Sequence, residues 1–190
     1  MLEVRSQSGS PVVVDRAADS RVYLREMTRA DVDEMAGWPP FHEPDLYWAN
    51  LDLYSSRERD SYFERTRSNG SRKRFVVLDR EDRVIGTIGL RNLDYLAEEG
   101  TLGIIVRADA VGRGAGGAAI RNILHYAFET LGLRRVVLDV AENNLRARRC
   151  YDRVGFSRTG YHFGPGGLRY VDMVIYRKTF EMVEKASGRG

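Results

Sequence analysis

The sequence VRADAVGRGAGGAAI, residues Val106–Ile120, places four glycines within six positions, just before a segment with helical periodicity. These glycines are Gly112, Gly114, Gly116 and Gly117. At the start of a helix, the first backbone N–H groups have no intrahelical acceptor, and the helix dipole favours negative charge there. Because glycine has no side chain, the backbone can approach an anion closely. The stretch therefore predicts a helix whose N-terminus binds a phosphate-bearing molecule.

Two amphipathic helices are predicted in the second half of the chain, one after the glycines and one before Gly155. Their apolar positions recur at helical spacing in two sets: Ile120, Ile123, Leu124, Ala127 and Leu131, then Ala147, Cys150, Tyr151 and Val154. Gly132 and Gly155 follow these sets at positions where a helix C-terminus favours glycine. Both helices should therefore bury one face.

Short runs rich in β-branched and aromatic residues predict the strands. They are Val22–Leu24, Arg74–Asp79, Val84–Arg91, Thr101–Val106, Arg135–Val140 and Tyr170–Tyr176. The turn REDR joins the second and third runs as a hairpin. An antiparallel meander followed by strand–helix–strand–helix–strand predicts a mixed α/β chain of the α+β class.

The chain should form one domain. We expect residues 1–20 to be an N-terminal arm or edge strand, residues 21–180 a single domain, and residues 181–190 a flexible tail. Thr28, with Asp31 three residues later, predicts the start of a helix that runs to about Met35. The aromatic and proline-containing segment that follows predicts one or two short helices.

Composition narrows the function classes. The chain has 190 residues, a formal net charge of +3 and interspersed acids and bases, which argues against a nucleic-acid partner. No apolar run approaches the length of about 18 residues that a membrane span needs, and MLEVRSQSGS lacks the apolar core of a secretion signal. The lone Cys150 fits a reducing compartment. We therefore expect a cytoplasmic protein that acts on neither membranes nor nucleic acids.

Gly112–Gly117 also satisfies the G-x-G-x-x-G pattern of dinucleotide-binding folds, and Asp139 follows 22 residues later. In those folds the first glycine directly follows its strand, and the glycine unit usually opens the domain. Here five residues, Arg107–Val111, separate the strand from the glycines, and a helix and a hairpin come first. A dinucleotide-dependent oxidoreductase is therefore only an alternative. A P-loop is excluded because no Lys-Ser/Thr pair follows the glycines.

Three linked segments carry a resemblance to a known family. They are Gly103–Val106 with Gly112–Gly117, then LDVAENNLRARRCYDRVGF (Leu138–Phe156), and finally RYVDMVIY (Arg169–Tyr176). They resemble the pyrophosphate loop, the strand–Asn–helix–Tyr–Gly-Phe block and the closing strand of the GNAT superfamily of acyl-CoA-dependent N-acetyltransferases. Among its subtypes, the chain is most similar to ribosomal-protein N-terminal and polyamine acetyltransferases.

This resemblance implies a GNAT fold, in which a mostly antiparallel sheet has helices on both faces and one splayed pair of parallel strands. It implies acetyl-CoA as the cofactor and no metal. The implied cofactor-binding residues are Ile104, Ile105, Val106, Gly112, Arg113, Gly114, Ala115, Gly116, Gly117 and Asn144. The loop's register has two solutions, Arg113-x-x-Gly116-x-Ala118 or one centred on Gly112, Gly114 and Gly116.

Tyr151 and Asp139 are the candidate catalytic residues. The family's equivalent tyrosine protonates the departing thiolate, which suits a phenol with a pKa of about 10 and a thiol with a pKa of about 8.5. Asp139 ends its strand where some relatives carry a glutamate base; alternatively, it bonds a neighbouring turn. Many relatives carry an acid where this chain has Thr101, although Glu98 and Glu99 lie close by.

The acceptor site is expected in the segments Trp38–Arg67 and Tyr161–Tyr170. Its candidate substrate-binding residues are Trp38, His42, Tyr47 and Trp48. Aromatic rings with nearby carboxylates suit a cationic amine, while packing of a loop onto the core is the alternative for each ring. The implied acceptor is a primary amine on a protein N-terminus, polyamine, aminoglycoside or small amino compound, attacking directly in a ternary complex. A non-catalytic acyl-CoA-binding protein is a second alternative, and relatives commonly form homodimers.

The remaining reactive side chains receive weaker assignments. Arg146, Arg148 and Arg149 follow the asparagine pair on the second helix, where one of them would meet the cofactor's 3′-phosphate or all would form a solvated face. His125 is expected on a helix surface and His162 in a loop. Cys150 is expected to pack against the core rather than act as a nucleophile.

Overall fold

The computed structural model describes residues 13–14, 21–42 and 49–187. The α-helices in these ranges are α1 (Arg29–Met35), α2 (Ser56–Thr66), α3 (Ala115–His125), α4 (Leu145–Val154) and α5 (Arg177–Ser187). The strands are β1 (Val13–Val14), β2 (Tyr23–Glu26), β3 (Lys73–Leu78), β4 (Val84–Asp94), β5 (Glu99–Val106), β6 (Arg135–Ala141), β7 (Ser157–Phe163) and β8 (Arg169–Tyr176). Within these ranges, no helix is long and apolar enough to cross a bilayer.

The described strands form one sheet in the order β1-β2-β3-β4-β5-β6-β8-β7. Every neighbouring pair runs antiparallel except β5 and β6, which are parallel. This arrangement confirms the predicted fold class and its single parallel pair. It differs from dinucleotide-binding folds, whose sheets are mostly parallel.

The parallel pair is joined at one end only. Glu99–Thr101 pair with Arg135–Val137, and no pairing follows between the two strands. On their outer sides both strands stay paired to the end, β5 with β4 as far as Val106 and β6 with β8 as far as Ala141. The sheet therefore opens as a V between β5 and β6, and the predicted splay is confirmed.

Hydrophobic cores fill both faces of the sheet. One core packs α3 and α4 against the sheet and includes the fully buried Ile120, Ile123 and Leu124. Burying each of these side chains contributes about 1.5–3 kcal/mol. The other core packs α1 and the residues that follow it, and includes Val32 and Trp38. The V-shaped opening thus lies between two helical layers.

The start of α1 follows the predicted capping box. The Thr28 backbone N–H and hydroxyl donate to Asp31 Oδ2 at 2.6 and 2.8 Å. Arg25 donates to the other carboxylate oxygen at 2.6 Å. Burial alone would raise the pKa of Asp31, but the bonds from Arg25 and Thr28 outweigh it and lower the pKa. This carboxylate therefore ties β2 to α1.

The C-terminal region differs from the prediction. Residues 181–187, expected in a flexible tail, belong to α5. Phe180 is 2% exposed, and its ring lies 5.6 Å from that of Phe128 and 4.9 Å from that of His125. Helix α5 follows β8 and buries the Phe180 side chain against the rings of Phe128 and His125. Tertiary packing of this apolar side chain therefore orders a segment whose overall composition is polar.

Candidate functional site

A cavity of about 740 Å³ lies where β5 and β6 part. Its walls come from the end of β5, the glycine loop, the end of β6, helix α4 and the chain after α1. Its lining residues include Phe41, His42, Ile104, Ile105, Val106, Gly112, Gly114, Gly116, Gly117, Asp139, Asn144, Arg146, Cys150, Tyr151, Arg153 and Tyr170. Most residues predicted from the sequence to form the site therefore meet in one cavity.

The glycine loop enters α3 through two left-handed residues. The five residues between β5 and Gly112 contain a single 3-10 turn, Ala108–Ala110. Gly112 and Gly114 then each have a φ of +84°, a region that side-chain-bearing residues rarely adopt. A Cβ on Gly114 would lie 2.5 Å from the Arg21 guanidinium. The backbone conformation therefore favours glycine at position 114, whereas the Arg21 side chain could move away from a Cβ.

This loop fits a diphosphate. The amides at the first turn of α3, from Ala115 to Gly117, have no acceptor within the helix. A Cβ on Gly112 would meet nothing within 4 Å, so the backbone faces open space there. Gly112, Gly114, Gly116 and Gly117 line the cavity, which favours the register centred on these glycines. Arg113 is exposed and Ala115 packs in the α3–α4 core, so these two predicted residues offer at most their backbone.

The unpaired edge of β5 forms the next wall. Ile104, Ile105 and Val106, which the resemblance implied as cofactor-binding residues, all line the cavity. They pair with β4 on one side, but their other side faces the opening rather than β6. An extended amide-containing ligand can therefore add to this edge as a strand would.

Asn144 begins α4 and lines the same cavity. Its side-chain oxygen accepts a hydrogen bond from the Ala147 N–H at 3.1 Å, as an N-cap residue does. The bond fixes where α4 starts, and thereby fixes Tyr151 two turns later. Asn144 therefore both caps α4 and lines the cavity.

Tyr151 lies on α4 with only 8% of its surface exposed. Its ring packs edge-on against Phe156 at 5.8 Å between centroids. Burial, with smaller contributions from the charges of Cys150 and Asp139, raises the pKa of Tyr151 well above its ordinary value. The phenol therefore stays protonated near neutral pH and can donate a proton into the cavity.

Asp139 lines the cavity from β6 and lies on the face opposite Leu138 and Val140. Arg91 on β4 reaches across β5 and donates to Asp139 Oδ1 at 3.2 Å. Arg91 lies beside Thr101, which lies beside Val137 at the last paired position of the splay. Sequence spacing could not indicate this pairing, because the two residues are 48 positions apart. Arg91 thus orients Asp139 at the point where the strands separate.

The alternative acids of β5 are used elsewhere. Glu99 forms an ion pair with Arg135, and Glu98 lies 3.9 Å from Arg134. Both pairs lie at the closed end of the splay, since Glu99 is aligned with Arg135. Glu98 and Glu99 therefore do not replace the acid missing at Thr101, and among the described residues Asp139 is the acidic residue that lines the cavity.

The wall opposite α4 comes from the chain after α1. Phe41 and His42 line the cavity, and Asn50 holds them. The Asn50 side chain accepts from the Phe41 N–H at 2.7 Å and donates to the Phe41 carbonyl at 3.0 Å. Because a buried side chain binds both backbone polar groups of Phe41, the position of this wall is fixed.

The other predicted acceptor residues have different outcomes. Trp38 does not line the cavity; it is 8% exposed and packs in the core beneath α1, because the helix ends before it and turns the ring inward. Tyr47 and Trp48 lie outside the described residues. Tyr170 on β8 lines the cavity instead, stacked on His162 at 5.5 Å. His162 itself lies on β7 rather than in a loop, bonded to Asp172 at 2.8 Å.

Comparisons with known proteins agree with this geometry. A family model described as an acetyltransferase (GNAT) domain matches residues 21–157. The spermidine N(1)-acetyltransferase of Vibrio cholerae is 26% identical over 143 residues, which cover 75% of this chain and 83% of that protein. An aminoglycoside N(6′)-acetyltransferase of Serratia marcescens is 31% identical over 97 residues, covering 51% of this chain and 44% of that protein.

A solved structure shares the fold. The crystal structure of the Vibrio cholerae spermidine N-acetyltransferase in complex with CoA and spermine superposes with a TM-score of 0.74 at 23% identity. The match covers 86% of this chain and 99% of that one. The family excludes the dinucleotide-dependent alternative and confirms the predicted donor. This chain belongs to the GNAT family of N-acetyltransferases, which use acetyl-CoA.

Proposed function

We propose that this enzyme acetylates a cationic primary amine by direct attack on acetyl-CoA, with Tyr151 as the acid and Asp139 as the base. One observation carries the proposal: Tyr151 and Asp139 line the same cavity as the bare glycine loop and the open edge of β5. The cavity at the splay would thereby bring together the backbone that binds the donor, the acid Tyr151 and the base Asp139.

The residues present fit the donor. When bound, acetyl-CoA supplies an acetyl thioester at the end of a long amide-containing arm. The first-turn amides of α3 would bind its diphosphate, with no side chain at Gly112, Gly114, Gly116 or Gly117 to hold the phosphates away. The open edge of β5, over Ile104–Val106, would bind the amides of the arm, which directs the reactive end toward Asp139 and Tyr151.

Tyr151 would protonate the leaving sulfur. Its pKa is raised by burial, so the phenol keeps its proton until the C–S bond breaks and the sulfur becomes basic. The O–H then donates to the thiolate or stabilises it by a hydrogen bond. Acid assistance of this kind typically contributes about 10²–10⁴ in rate.

Asp139 would receive the proton that the amine must lose. An amine nitrogen attacks only after it loses the proton that it carries near neutral pH. Before the C–N bond forms, a carboxylate oxygen of Asp139 would accept this proton directly or through one water, which frees the nitrogen electron pair for attack. Arg91 acts as a positioning residue, because its hydrogen bond to Oδ1 fixes how the carboxylate faces the cavity.

Direct transfer is favoured over an acyl-enzyme. Cys150 is the chain's single cysteine and lines the cavity. Burial raises the pKa of its thiol, against smaller opposing effects of Arg153 and Arg121. Since the thiolate is the nucleophilic form, a thiol held protonated is a poor acyl acceptor. The amine therefore attacks the thioester itself.

A cationic acceptor suits the described walls. Asp139 offers a carboxylate, while Tyr170 and Phe41 offer aromatic surface beside His42. Ammonium groups are attracted both to carboxylates and to aromatic faces. Two relatives named above act on polycationic amines, spermidine and aminoglycosides. Among the predicted acceptors, we therefore place polyamines first and aminoglycosides second, ahead of protein N-termini.

Calorimetry followed by a thiol-release assay tests the proposal. Gly116→Glu places a carboxylate in the anion site, where a Cβ makes only an ordinary contact of 3.7 Å with Val106, so the fold should survive. Gly70→Glu is the matched control, because a Cβ there meets nothing within 4 Å. Acetyl-CoA should bind the wild type and the control, but not the Gly116 variant.

The assay then supplies spermidine, an aminoglycoside and a short peptide with a free N-terminus. Thiol release with spermidine above the other two supports the proposed acceptor class. Release with the peptide alone would overturn the proposed acceptor class but would still show N-acetyltransferase activity. Donor binding with no release from any amine would instead support a non-catalytic acyl-CoA-binding protein.

The enzyme's assembly and location complete the proposal. We propose a homodimer working in the cytoplasm, where a lone thiol stays reduced. A dodecameric structure of the Vibrio cholerae relative supports self-association in this family. Light scattering on the purified chain would measure the mass, and a monomer at micromolar concentration would contradict the homodimer.

A further inference from the structure

The Tyr170 ring at the cavity is covered on one side by a residue of β7. It lies nearly parallel to the His162 ring, with 5.5 Å between the ring centroids and 10° between the planes. The two residues are aligned in the antiparallel β7–β8 pair, so their side chains share one face of the sheet. On its other side β8 pairs with β6, where Ala141 is aligned with Tyr170 and Asp139 lies two residues earlier. His162 thus covers the side of the ring that faces away from Asp139.

Gly164, directly after β7, lies against the edge of the same ring. A Cβ at this position would lie 2.6 Å from Tyr170 Cε2 and 3.0 Å from Cδ2. Carbon atoms in ordinary contact are about 3.5–4.0 Å apart. Gly164 has a φ of −94° and a ψ of −168°, an extended conformation that residues with side chains also adopt. The backbone therefore does not require glycine at position 164, whereas the place of the Tyr170 ring does.

The neighbours of the ring determine the direction in which it can move. His162 and Gly164 both contact the ring from the β7 side. A side chain at position 164 would therefore push the ring toward β6. The cavity and Asp139 lie on that side. The displaced ring would narrow the path by which an acceptor reaches the carboxylate.

We infer that Gly164 sets the width of the acceptor site, because it leaves room for the Tyr170 ring beside β7. The inference rests on the proposed function, since it concerns which amines reach Asp139. Gly164 is a positioning residue: it does not line the cavity itself and acts through Tyr170, which does. Spermidine is a linear chain that passes a narrow opening, whereas an aminoglycoside consists of linked sugar rings and needs a wider one. The retracted ring therefore keeps the bulkier class of acceptor within reach.

One added methyl group tests this inference on the whole chain, with spermidine and the aminoglycoside kanamycin as the two acceptors. In Gly164→Ala, kcat/KM for kanamycin should fall about tenfold, the usual discrimination from one misplaced methyl group. The value for spermidine and the calorimetric affinity for acetyl-CoA should change little. Gly160→Ala is the matched control, because it adds the same group on β7, where a Cβ makes an ordinary contact of 3.5 Å with Asp172 Oδ2. It should leave the ratio of the two kcat/KM values unchanged.

Removing the ring tests whether Gly164 acts through Tyr170. Tyr170→Ala widens the site, so the ratio of the two kcat/KM values should shift toward kanamycin by about tenfold. Adding Gly164→Ala to this variant should have no further effect on the ratio, because the collision with the ring is gone. Circular dichroism checks the fold of each variant. If Gly164→Ala does not fold, the shift in Tyr170→Ala is decisive.

The outcomes separate this inference from the proposed function. Equal losses for both acceptors in Gly164→Ala, or the same shift in Gly160→Ala, would overturn it, because the hairpin as a whole would then be disturbed. Additive effects in the double variant would overturn it as well. If the wild type acetylates spermidine alone, Tyr170→Ala must admit kanamycin, and no gain would contradict the inference. Failure of the wild type to acetylate either amine would instead count against the proposed acceptor class.

Discussion

The two sides of the cavity are built by different means. The donor side consists of the β5 edge, the glycine loop and α4, and it presents backbone and small residues over two short stretches of sequence. The proposed acceptor side consists of Phe41, His42, Asp139 and Tyr170, which come from three distant parts of the chain. Backbone amides recognise what all acyl-CoA donors share, whereas side chains recognise what distinguishes one amine from another. Changes to binding residues on the two sides should therefore affect the affinities for different substrates.

Replacing Tyr151 should have the largest effect. Tyr151→Phe removes the proton donor but keeps the ring that packs against Phe156. We expect kcat to fall by about a thousandfold, within the usual range for a positioned acid, while acetyl-CoA affinity stays nearly unchanged. Steady-state thiol release and calorimetry measure the two quantities. A kcat close to that of the wild type would remove Tyr151 from the chemistry.

Replacing Asp139 should have the next largest effect. Asp139→Asn should lower kcat by about a hundredfold, because the amide cannot accept the amine's proton. Asp172→Asn is the matched control: Asp172 is aligned with Asp139 on the neighbouring strand, but it pairs with His162 and does not line the cavity. If the two variants lost the same activity, the charge of this sheet face rather than a base at Asp139 would explain the result.

Removing the two hydrogen bonds between the Asn50 side chain and the Phe41 backbone should affect acceptor binding alone. Asn50→Ala leaves the N–H and carbonyl of Phe41 without their partner, which should raise the acceptor KM by about tenfold. The affinity for acetyl-CoA should not change. Asn122→Ala is the matched control, since Asn122 is another buried asparagine and donates to the Val22 carbonyl at 3.1 Å, away from the acceptor wall. An equal change in KM for both variants would mean that the change reflects lost stability rather than the loss of the Asn50–Phe41 hydrogen bonds.

The donor side could be predicted because its signals are local. Glycines before a periodic segment predict a bare helix start, and the structure has left-handed residues at Gly112 and Gly114. Thr28 and Asp31 predict a capping box that the structure contains. In each case the residues that make the interaction lie within one or two helical turns of each other. Sequence spacing then fixes spatial proximity.

The acceptor side and the periphery could not be predicted in the same way. Arg91 meets Asp139 only because the sheet order places β4 and β6 on either side of β5. Strand β7 has almost no buried side chain, so its sequence lacks the alternation that marks a half-buried strand. Trp38 belongs to an aromatic-rich segment whose individual rings can face either a core or a cavity. Which one occurs depends on tertiary contacts such as those made by Asn50.

The smallest predicted effect concerns stability at alkaline pH and links the two sides of the cavity. Burial raises the pKa of Tyr151 in the folded chain, with a further contribution from the charge of Asp139. In the unfolded chain the phenol ionises near pH 10. Its contribution to stability is therefore complete below about pH 10 and is lost as the pH rises toward the folded pKa, by about 1.4 kcal/mol per pH unit. Tyr126, whose pKa burial also raises, adds a loss of the same sign.

Urea unfolding of the wild type and Tyr151→Phe, at about pH 8 and above pH 10, measures this contribution as a difference, so that Tyr126 cancels. The free energy of unfolding should fall more steeply with pH in the wild type. Asp139→Asn should reduce that steepness only slightly, because burial is the larger cause. Parallel curves for all three proteins would mean that Tyr151 ionises as readily in the folded chain as in the unfolded chain. The phenol would then be open to water, and burial could not be what keeps it protonated before it donates to the leaving sulfur.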